Sequence, residues 1–180
     1  DAVAEMERAT RETLGLIGLG RIGTQVGQIA RAFGMAVLAY DPGCGQAPEG
    51  VELASLDMLL TRSDVISLHC PLLPETASII NSRTIAGMKD GVILINTARG
   101  PLLAEADVAR ALESGKIGYA AVDVVSEEPV RPDNPLLSAP RCLITPHIAW
   151  APREARARLM RIAVENLKAF LEGSPVHAVG

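Results

Sequence analysis

The chain has 180 residues, of which 48% are hydrophobic and 21% charged, and its net charge is −4. This composition predicts a compact globular domain and excludes a disordered chain, while the acidic balance argues against general nucleic-acid binding. No apolar run reaches the roughly 18 residues of a membrane span. Three cysteines lack the spacing of a metal site or a disulfide framework, namely Cys44, Cys70 and Cys142. We therefore expect a cytoplasmic protein with reduced thiols and no bound metal, membrane or nucleic acid.

Apolar runs and segments with helical spacing alternate along the chain. The predicted strands are Thr13–Leu19, Met35–Tyr40, Val65–His69, Gly91–Asn96, Gly118–Val124 and Cys142–Thr145. The predicted helices are Arg21–Phe33, Leu56–Thr61, Ser82–Gly87, Ala104–Glu113 and Pro152–Leu171. Because the strand runs are apolar throughout, we expect them to be buried on both faces. The alternation predicts an α/β fold with a doubly wound parallel sheet of the Rossmann type.

The domain is predicted to extend over residues 1–180, with terminal helices at residues 1–12 and 152–172. A domain that begins and ends on such helices is expected to be joined to another part of a protein through both of them. Gly173 and Pro175 follow the second helix and are typical helix stop signals.

A glycine-rich turn follows the first predicted strand and opens the first predicted helix. Its glycines are Gly18, Gly20 and Gly23, in the spacing G-x-G-x-x-G. The first permits a tight turn, the second lets a pyrophosphate approach the backbone, and the third packs the helix against the strand. The N–H groups at the start of the helix, Ile22 among them, then face the phosphates, and Arg21 adds a cation. The spacing alone is a weak signal, but its place between a strand and a helix predicts dinucleotide binding.

An acidic residue ends the second predicted strand. Asp41 follows Gly23 by 18 residues, close to the ~20 at which dinucleotide-binding domains place an acid on the ribose hydroxyls. The same residue also fits an Asp-Pro-Gly turn. No Arg or Lys lies between Pro42 and Gly50, so a 2′-phosphate would meet a carboxylate and no cation. The sequence therefore predicts NAD rather than NADP.

Polar residues lie at or just after the ends of the later predicted strands, where ligands of such sheets bind. They are Asn96, Thr97 and Arg99, then Asp123 with Glu127 and Glu128, and finally His147. Taken singly, Arg99 fits a surface charge, the glutamates a solvated loop pair, and His147 a buried structural histidine. Taken together beside a dinucleotide site, they suit a 2-keto acid. Arginine binds a carboxylate with two hydrogen bonds, and imidazole is a proton donor in the right pH range, favoured as imidazolium by a nearby carboxylate.

Short motifs in a fixed order extend over nearly the whole chain: GLGRIG, YDP, LHCPLLPET, INTARG, AAVDVVSEEP, NPLL and TPHIAW. They resemble the cofactor domain of the D-isomer-specific 2-hydroxyacid dehydrogenases, and TPHIAWAPREAR is most similar to the bacterial glycerate (hydroxypyruvate) dehydrogenase branch. The resemblance implies that Arg99 binds the substrate, that His147 is the general acid and base, and that Glu128 is the carboxylate paired with His147. It also implies that Asp123 holds the nicotinamide carboxamide and that the cofactor is lined by Pro71, Thr76, Thr97 and Ala98. Leu73 departs from the Thr or Ser of many members.

Members of that family carry a second lobe, built from segments before and after the cofactor domain, which closes over the nicotinamide. The resemblance implies that this chain is a cofactor domain that retains its catalytic residues but lacks the lobe, and that it forms a homodimer. His69 is interpreted as structural, in a loop that lines the cofactor.

Three functions stay open from the sequence. The first is NAD-linked reduction of a 2-keto acid or oxidation of a D-2-hydroxy acid, with a glycerate- or hydroxypyruvate-like substrate. The second is a non-catalytic NAD(H)-binding module that works through partner contacts. The third is a methyltransferase, which also has a glycine-rich turn and a ribose acid but does not use Arg99, Glu128 and His147 together.

Overall fold

The structure is a computed structural model that describes residues 12–178. Its strands are β1 Thr13–Ile17, β2 Ala36–Tyr40, β3 Glu52–Leu53, β4 Val65–Leu68, β5 Val92–Asn96, β6 Ile117–Val122 and β7 Cys142–Ile144. Its α-helices are α1 Arg21–Ala32, α2 Leu56–Arg62, α3 Ser82–Ala86, α4 Glu105–Ser114 and α5 Arg153–Leu171. Short 3-10 helices form at Gly100–Leu102 and Pro135–Leu137. The predicted helix over residues 1–12 lies outside the described residues, apart from Glu12.

The strands form one parallel sheet in the order β3-β2-β1-β4-β5-β6-β7. This order confirms the predicted doubly wound Rossmann-type fold, with the chain reversing direction across the sheet between β1 and β4. Each predicted strand is present within a few residues of its expected bounds. The sequence did not predict β3, because this strand has only two residues, both exposed, and no apolar run.

Two apolar clusters fill the space between the sheet and its helices. Leu14, Leu16 and Val37 belong to the cluster that α1 covers with Ala30. The larger cluster includes Ile66, Leu94, Leu59 of α2, Ile85 of α3 and Leu112 of α4. Helices therefore lie on both faces of the sheet around β1 and β4, where the strands are buried, as predicted, except at their half-buried first residues Thr13 and Val65.

The expectation of burial on both faces is wrong for β6 and β7. The side chains of Tyr119 and Leu143 are 59% and 63% exposed. The reason is topological: right-handed connections that lead in one direction across a parallel sheet all lie on the same face. The connections from β3 to β6, which contain α2, α3 and α4, therefore leave the opposite face of β6 to other elements.

The amino ends of β1, β4 and β5 are held together by one carboxylate. Asp64 accepts hydrogen bonds from the Thr13 N–H at 2.8 Å and from Lys89 Nζ at 2.7 Å. Burial raises the pKa of Asp64, but the hydrogen bonds from Lys89 and Thr13 outweigh it and the net pKa is lowered. This edge of the sheet is thus stabilised by local charge pairing.

The described residues divide into two compact units, residues 12–146 and residues 147–178. The first contains the sheet. The second contains α5, in which no residue is buried. None of the helices in the described part of the chain combines the length and apolarity that a membrane span needs.

Candidate active site

The glycine-rich turn joins β1 to α1 beneath the end of β4. Gly18 has a φ of +99°, and a Cβ atom built on it would lie 2.5 Å from the Cys70 nitrogen. A Cβ atom on Gly23 would lie 2.2 Å from the Gly18 carbonyl oxygen, whereas one on Gly20 would meet no atom within 4 Å. The first and third glycines are therefore required by the fold, and Gly20 leaves open space for a ligand to approach the backbone.

The start of α1 is suited to an anion. Gly20 is its N-cap and supplies no side-chain acceptor, and the first turn contains no acidic residue. The first N–H groups of a helix lack intrahelical partners and carry the positive end of the helix dipole. Arg21 and Ile22 are both exposed at this point. A diphosphate can therefore bind here through backbone N–H groups, with the Arg21 guanidinium nearby.

Two alanine substitutions should separate the roles of these glycines. We expect Gly20→Ala to weaken NADH binding by about tenfold or more, equivalent to ~1.4 kcal/mol, while changing stability by less than ~0.5 kcal/mol. Gly23→Ala should instead destabilise the domain by ~1–3 kcal/mol, because its Cβ overlaps the backbone. NADH fluorescence titration and urea unfolding of both variants measure the two effects. Equal loss of stability in both would contradict this division.

Asp41, at the end of β2, ties that strand to the glycine-rich turn. Its Oδ2 accepts a hydrogen bond from the Leu19 N–H at 2.8 Å, and its Oδ1 accepts one from the Gly43 N–H at 2.9 Å. The bond from Gly43 closes the Asp-Pro-Gly turn that the sequence predicts. The bond from Leu19 was not anticipated, because it joins residues 22 positions apart. A carboxylate has about four acceptor sites, so ribose hydroxyls can be bound by the lone pairs that remain.

The loop after β4 is shaped by its own side chains. Thr76 Oγ1 donates to the Pro71 carbonyl at 2.7 Å and accepts from the Leu73 N–H at 2.8 Å. The Thr76 hydroxyl therefore fixes the loop, in which Pro71 and Leu73 are exposed. His69 precedes this loop and forms a 2.9 Å hydrogen bond from Nε2 to Ser67 Oγ. Burial lowers the pKa of His69, which favours a neutral imidazole in a structural role.

The turn after β5 presents Arg99 to solvent. The side chain of Asn96 is fully buried, donates from Nδ2 to the Arg99 carbonyl at 2.9 Å and accepts from the Ala98 N–H at 3.0 Å. Thr97 and Arg99 are exposed, and Ala98 is half-buried. Arg99 Nη1 donates to the Ala98 carbonyl at 2.6 Å. Asn96 thus acts as the support of this turn, a role that its place after a strand did not specify.

Asp123 lies at the end of β6 and is only 5% exposed. Its N–H donates to the Asn96 carbonyl at 2.9 Å, and its Oδ1 accepts from Thr145 Oγ1 at 2.5 Å. In the sequence, Thr145 is identified only as the first residue of the TPHIAW motif. Its hydroxyl, just beyond β7, orients the Asp123 carboxylate. Glu128 lies in the exposed loop that follows, where its Oε1 is 3.4 Å from the Val125 nitrogen.

His147 is the first residue of the second unit and is exposed. Its φ is +55°, in the left-handed region that side chains rarely adopt. Its carbonyl accepts a hydrogen bond from Trp150 Nε1 at 2.7 Å. The next residues along the chain therefore help to hold the backbone of His147 in this conformation.

The structure brings most of the predicted site residues of the first unit to one edge of the sheet. The glycine-rich turn, Asp41, the Arg99 turn and Asp123 all follow the carboxyl ends of parallel strands. The turns after β5 and β6 touch, since a Cβ atom built on Gly100 would lie 1.9 Å from the Val125 carbonyl. Within residues 12–178, no three His, Cys, Asp or Glu residues are grouped as a metal site requires. This edge can therefore hold a dinucleotide beside an arginine and a carboxylate-bearing loop.

Comparison with known proteins agrees with this geometry. Residues 2–149 match the family model of the D-isomer-specific 2-hydroxyacid dehydrogenase NAD-binding domain. The chain is 57% identical over 170 residues to a hydroxypyruvate reductase of Blautia hydrogenotrophica, covering 93% of this chain and 53% of the relative. It is 44% identical over 171 residues to a glycerate dehydrogenase of Methylorubrum extorquens, covering 93% and 52%.

Among solved structures, the D-lactate dehydrogenase of Aquifex aeolicus, crystallised with NAD and lactic acid, superposes with a TM-score of 0.83 at 37% identity. The match covers 96% of this chain and 59% of that chain. This chain therefore spans about half the length of the curated relatives that it matches. It belongs to the D-isomer-specific 2-hydroxyacid dehydrogenase family, whose NAD-binding domain it contains.

Proposed function

We propose that this domain serves an oxidoreductase that transfers a hydride between NAD(H) and a small D-2-hydroxy or 2-keto acid of the glycerate/hydroxypyruvate kind. The observation that carries the proposal is the contact between the Arg99 turn and the loop of Glu128, at the edge that also holds the glycine-rich turn. The 57% identity to a hydroxypyruvate reductase supports this choice of substrate.

The proposed cofactor contacts extend along the edge of the sheet. The backbone at Gly20, Arg21 and Ile22 binds the pyrophosphate, and Asp41 accepts from the ribose hydroxyls. Asp123, oriented by Thr145, accepts from the nicotinamide carboxamide. Pro71, Thr76, Thr97 and Ala98 lie in the two loops between these points, and we propose that they line the cofactor. When bound, NADH supplies the hydride.

Two residues are proposed to act on the substrate, and a third supports one of them. Arg99 binds the carboxylate of the keto acid, because an exposed guanidinium can exchange its bond to the Ala98 carbonyl for two charge-assisted bonds. The keto carbon gains a hydride and its oxygen gains a proton from His147, which yields the 2-hydroxy acid and a neutral imidazole. Glu128 is proposed to be the carboxylate paired with His147, as the family resemblance implies. The reverse reaction uses the same groups.

The activity is tested on a completed chimera, in which residues 1–180 are joined to the part of the 57% identical hydroxypyruvate reductase that they do not cover. NADH oxidation is followed with hydroxypyruvate, glyoxylate and pyruvate. We expect the highest kcat/KM with hydroxypyruvate, and we expect Arg99→Met to raise KM for the keto acid while NADH affinity is kept. Tight NADH binding without turnover of any keto acid would favour a non-catalytic NAD(H)-binding module.

The chain should prefer NADH to NADPH. Asp41 opposite a 2′-phosphate at ~4 Å is expected to cost about 1–4 kcal/mol, depending on screening. Asp41→Asn removes the charge and keeps an acceptor for one backbone N–H, so the preference should shrink. Fluorescence titration with both cofactors measures it, and urea unfolding controls for the lost Leu19 contact. Equal affinities in the unmodified chain would remove Asp41 from this role.

We further propose that the chain forms homodimers and that it is located in a reducing, cytoplasmic compartment. We also propose that the terminal segment around α5 joins the domain to a substrate lobe. The exposed apolar side chains of Tyr119 and Leu143 support association. The free thiols of all three cysteines are consistent with a reducing compartment. The exposed apolar side chains of Leu167 and Phe170 on α5 are consistent with contact to a further lobe. Light scattering of the purified chain should give twice the monomer mass.

A further inference from the structure

The loop that carries Glu128 lacks regular structure of its own. This loop, residues 126–134, is called the Glu128 loop below. Asn134 is buried, and the other residues of the loop are exposed. Within the loop, Arg131 pairs with Glu127 at 3.4 Å and with Asp133 at 3.1 Å. These pairs are exposed and contribute little to rigidity, so a carboxylate on this loop depends on contacts from elsewhere for a fixed position.

One carboxylate outside the loop binds both of its ends. Glu105 Oε1 accepts from the Ser126 N–H at 2.7 Å, and Glu105 Oε2 accepts from Ser126 Oγ at 2.6 Å. The same Oε2 accepts from Asn134 Nδ2 at 3.0 Å. Asn134 in turn caps the following 3-10 helix, because its Oδ1 accepts from the Leu136 N–H at 2.9 Å. Glu105 therefore closes the loop by holding its first and last residues on one side chain.

Glu105 itself is well fixed. It is half-buried at the first residue of α4, where the helix dipole stabilises an anion. Val108 and Leu112 anchor this helix in the core with no exposed surface. Hydrogen bonds to an ionised acceptor are about twice as strong as neutral ones. Glu105 accepts three such bonds, and its helix is anchored in the core. The loop is therefore rigidly attached.

We propose that Glu105 is a positioning residue for Glu128. Glu105 does not act on the substrate. It holds the loop so that Glu128 keeps one position beside the Arg99 turn, whose Gly100 packs against Val125. This inference rests on the proposed role of Glu128 as the carboxylate paired with His147. Its consequence is that the reaction depends on a residue of α4 that is remote from the proton-transfer step.

The first experiment measures amide exchange by NMR in the 180-residue chain. Glu105→Gln replaces one of the two acceptor oxygens with a donor, so we expect exchange in the Glu128 loop to become at least about tenfold faster, most clearly at Ser126. Asp107→Asn is the matched control. It removes the same charge from the same helical turn, but Asp107 contacts Ser82 and Arg110. Unchanged loop exchange in Glu105→Gln, or equal acceleration in Asp107→Asn, overturns the proposal.

The second experiment measures kinetics in the completed chimera. We expect Glu105→Gln to lower kcat by about tenfold to a hundredfold, the scale of a misplaced catalytic group, with KM for NADH unchanged. Glu105→Asp should recover part of the loss. In a Glu128→Gln background, Glu105→Gln should lower kcat no further. Independent, multiplying losses would show that Glu105 acts by another route and would overturn the proposal.

If Glu128→Gln alone leaves kcat unchanged, the proposed role of Glu128 fails, and with it the catalytic part of this inference. Amide exchange separately reports whether Glu105 holds the loop.

Discussion

We expect His147→Asn in the completed chimera to lower turnover strongly and to leave NADH binding intact. Loss of a general acid and base is expected to lower kcat by about 10²–10⁴-fold, while the glycine-rich turn and Asp41 are unchanged. Asn is the suitable replacement because it tolerates the left-handed backbone at this position better than most residues. Stopped-flow NADH oxidation with hydroxypyruvate gives kcat, and fluorescence titration gives the dissociation constant for NADH.

His177→Asn is the control for this substitution. His177 also has a left-handed φ, of +54°, and is exposed, and its Nδ1 lies 2.8 Å from Asn166 Oδ1. We expect this variant to keep full turnover. Turnover by His147→Asn within about threefold of the unmodified chimera, against the loss of 10²–10⁴-fold expected above, would exclude His147 as the proton donor.

The 180-residue chain alone should bind NADH and turn over keto acids slowly or not at all. The sheet, the glycine-rich turn, Asp41 and Asp123 are all within it, so folding and cofactor binding should persist. The family resemblance implies a second lobe that closes over the nicotinamide. Without it, Arg99 acts in a high dielectric, and the positioning of substrate, which can be worth ~7–11 kcal/mol of a barrier, is largely lost.

Steady-state NADH oxidation by the bare chain and by the completed chimera, with hydroxypyruvate and glyoxylate, tests this expectation. NADH titration of the bare chain shows whether binding is kept, and its unfolding curve shows whether the domain is folded. Equal kcat in both proteins would refute the expectation. It would mean that a second copy of the chain, rather than a second lobe, closes over the nicotinamide.

The fold could be predicted from the sequence because buried parallel strands leave long apolar runs and their connections leave helical spacing. The glycine-rich turn and Asp41 were visible for a similar reason, since their spacing follows from one local strand–turn–helix–strand unit. The supporting contacts were not visible. Thr145 binds Asp123 from 22 residues away, and Glu105 binds Ser126 from 21 residues away. Such pairs are formed by the topology of the sheet and leave no periodic pattern.

Burial of β6 and β7 was mispredicted for a related reason. Tyr119 and Leu143 stand in apolar runs that look the same as those of β1 and β4. Apolar composition shows that a strand face avoids water, but not which element covers it. That information resides in the direction of the connections across the sheet, and in whatever packs against the exposed face.

The left-handed backbone at His147 also limits how a lineage of such proteins can change. A β-branched residue at this φ of +55° is strained, so Val, Ile and Thr are poor replacements, whereas Gly, Asn and Asp fit with little cost. Relatives that keep the dinucleotide site but abandon proton transfer therefore have few substitutions open to them here. A Gly, Asn or Asp at this position, beside an intact glycine-rich turn, is a mark by which non-catalytic descendants can be recognised in sequence surveys.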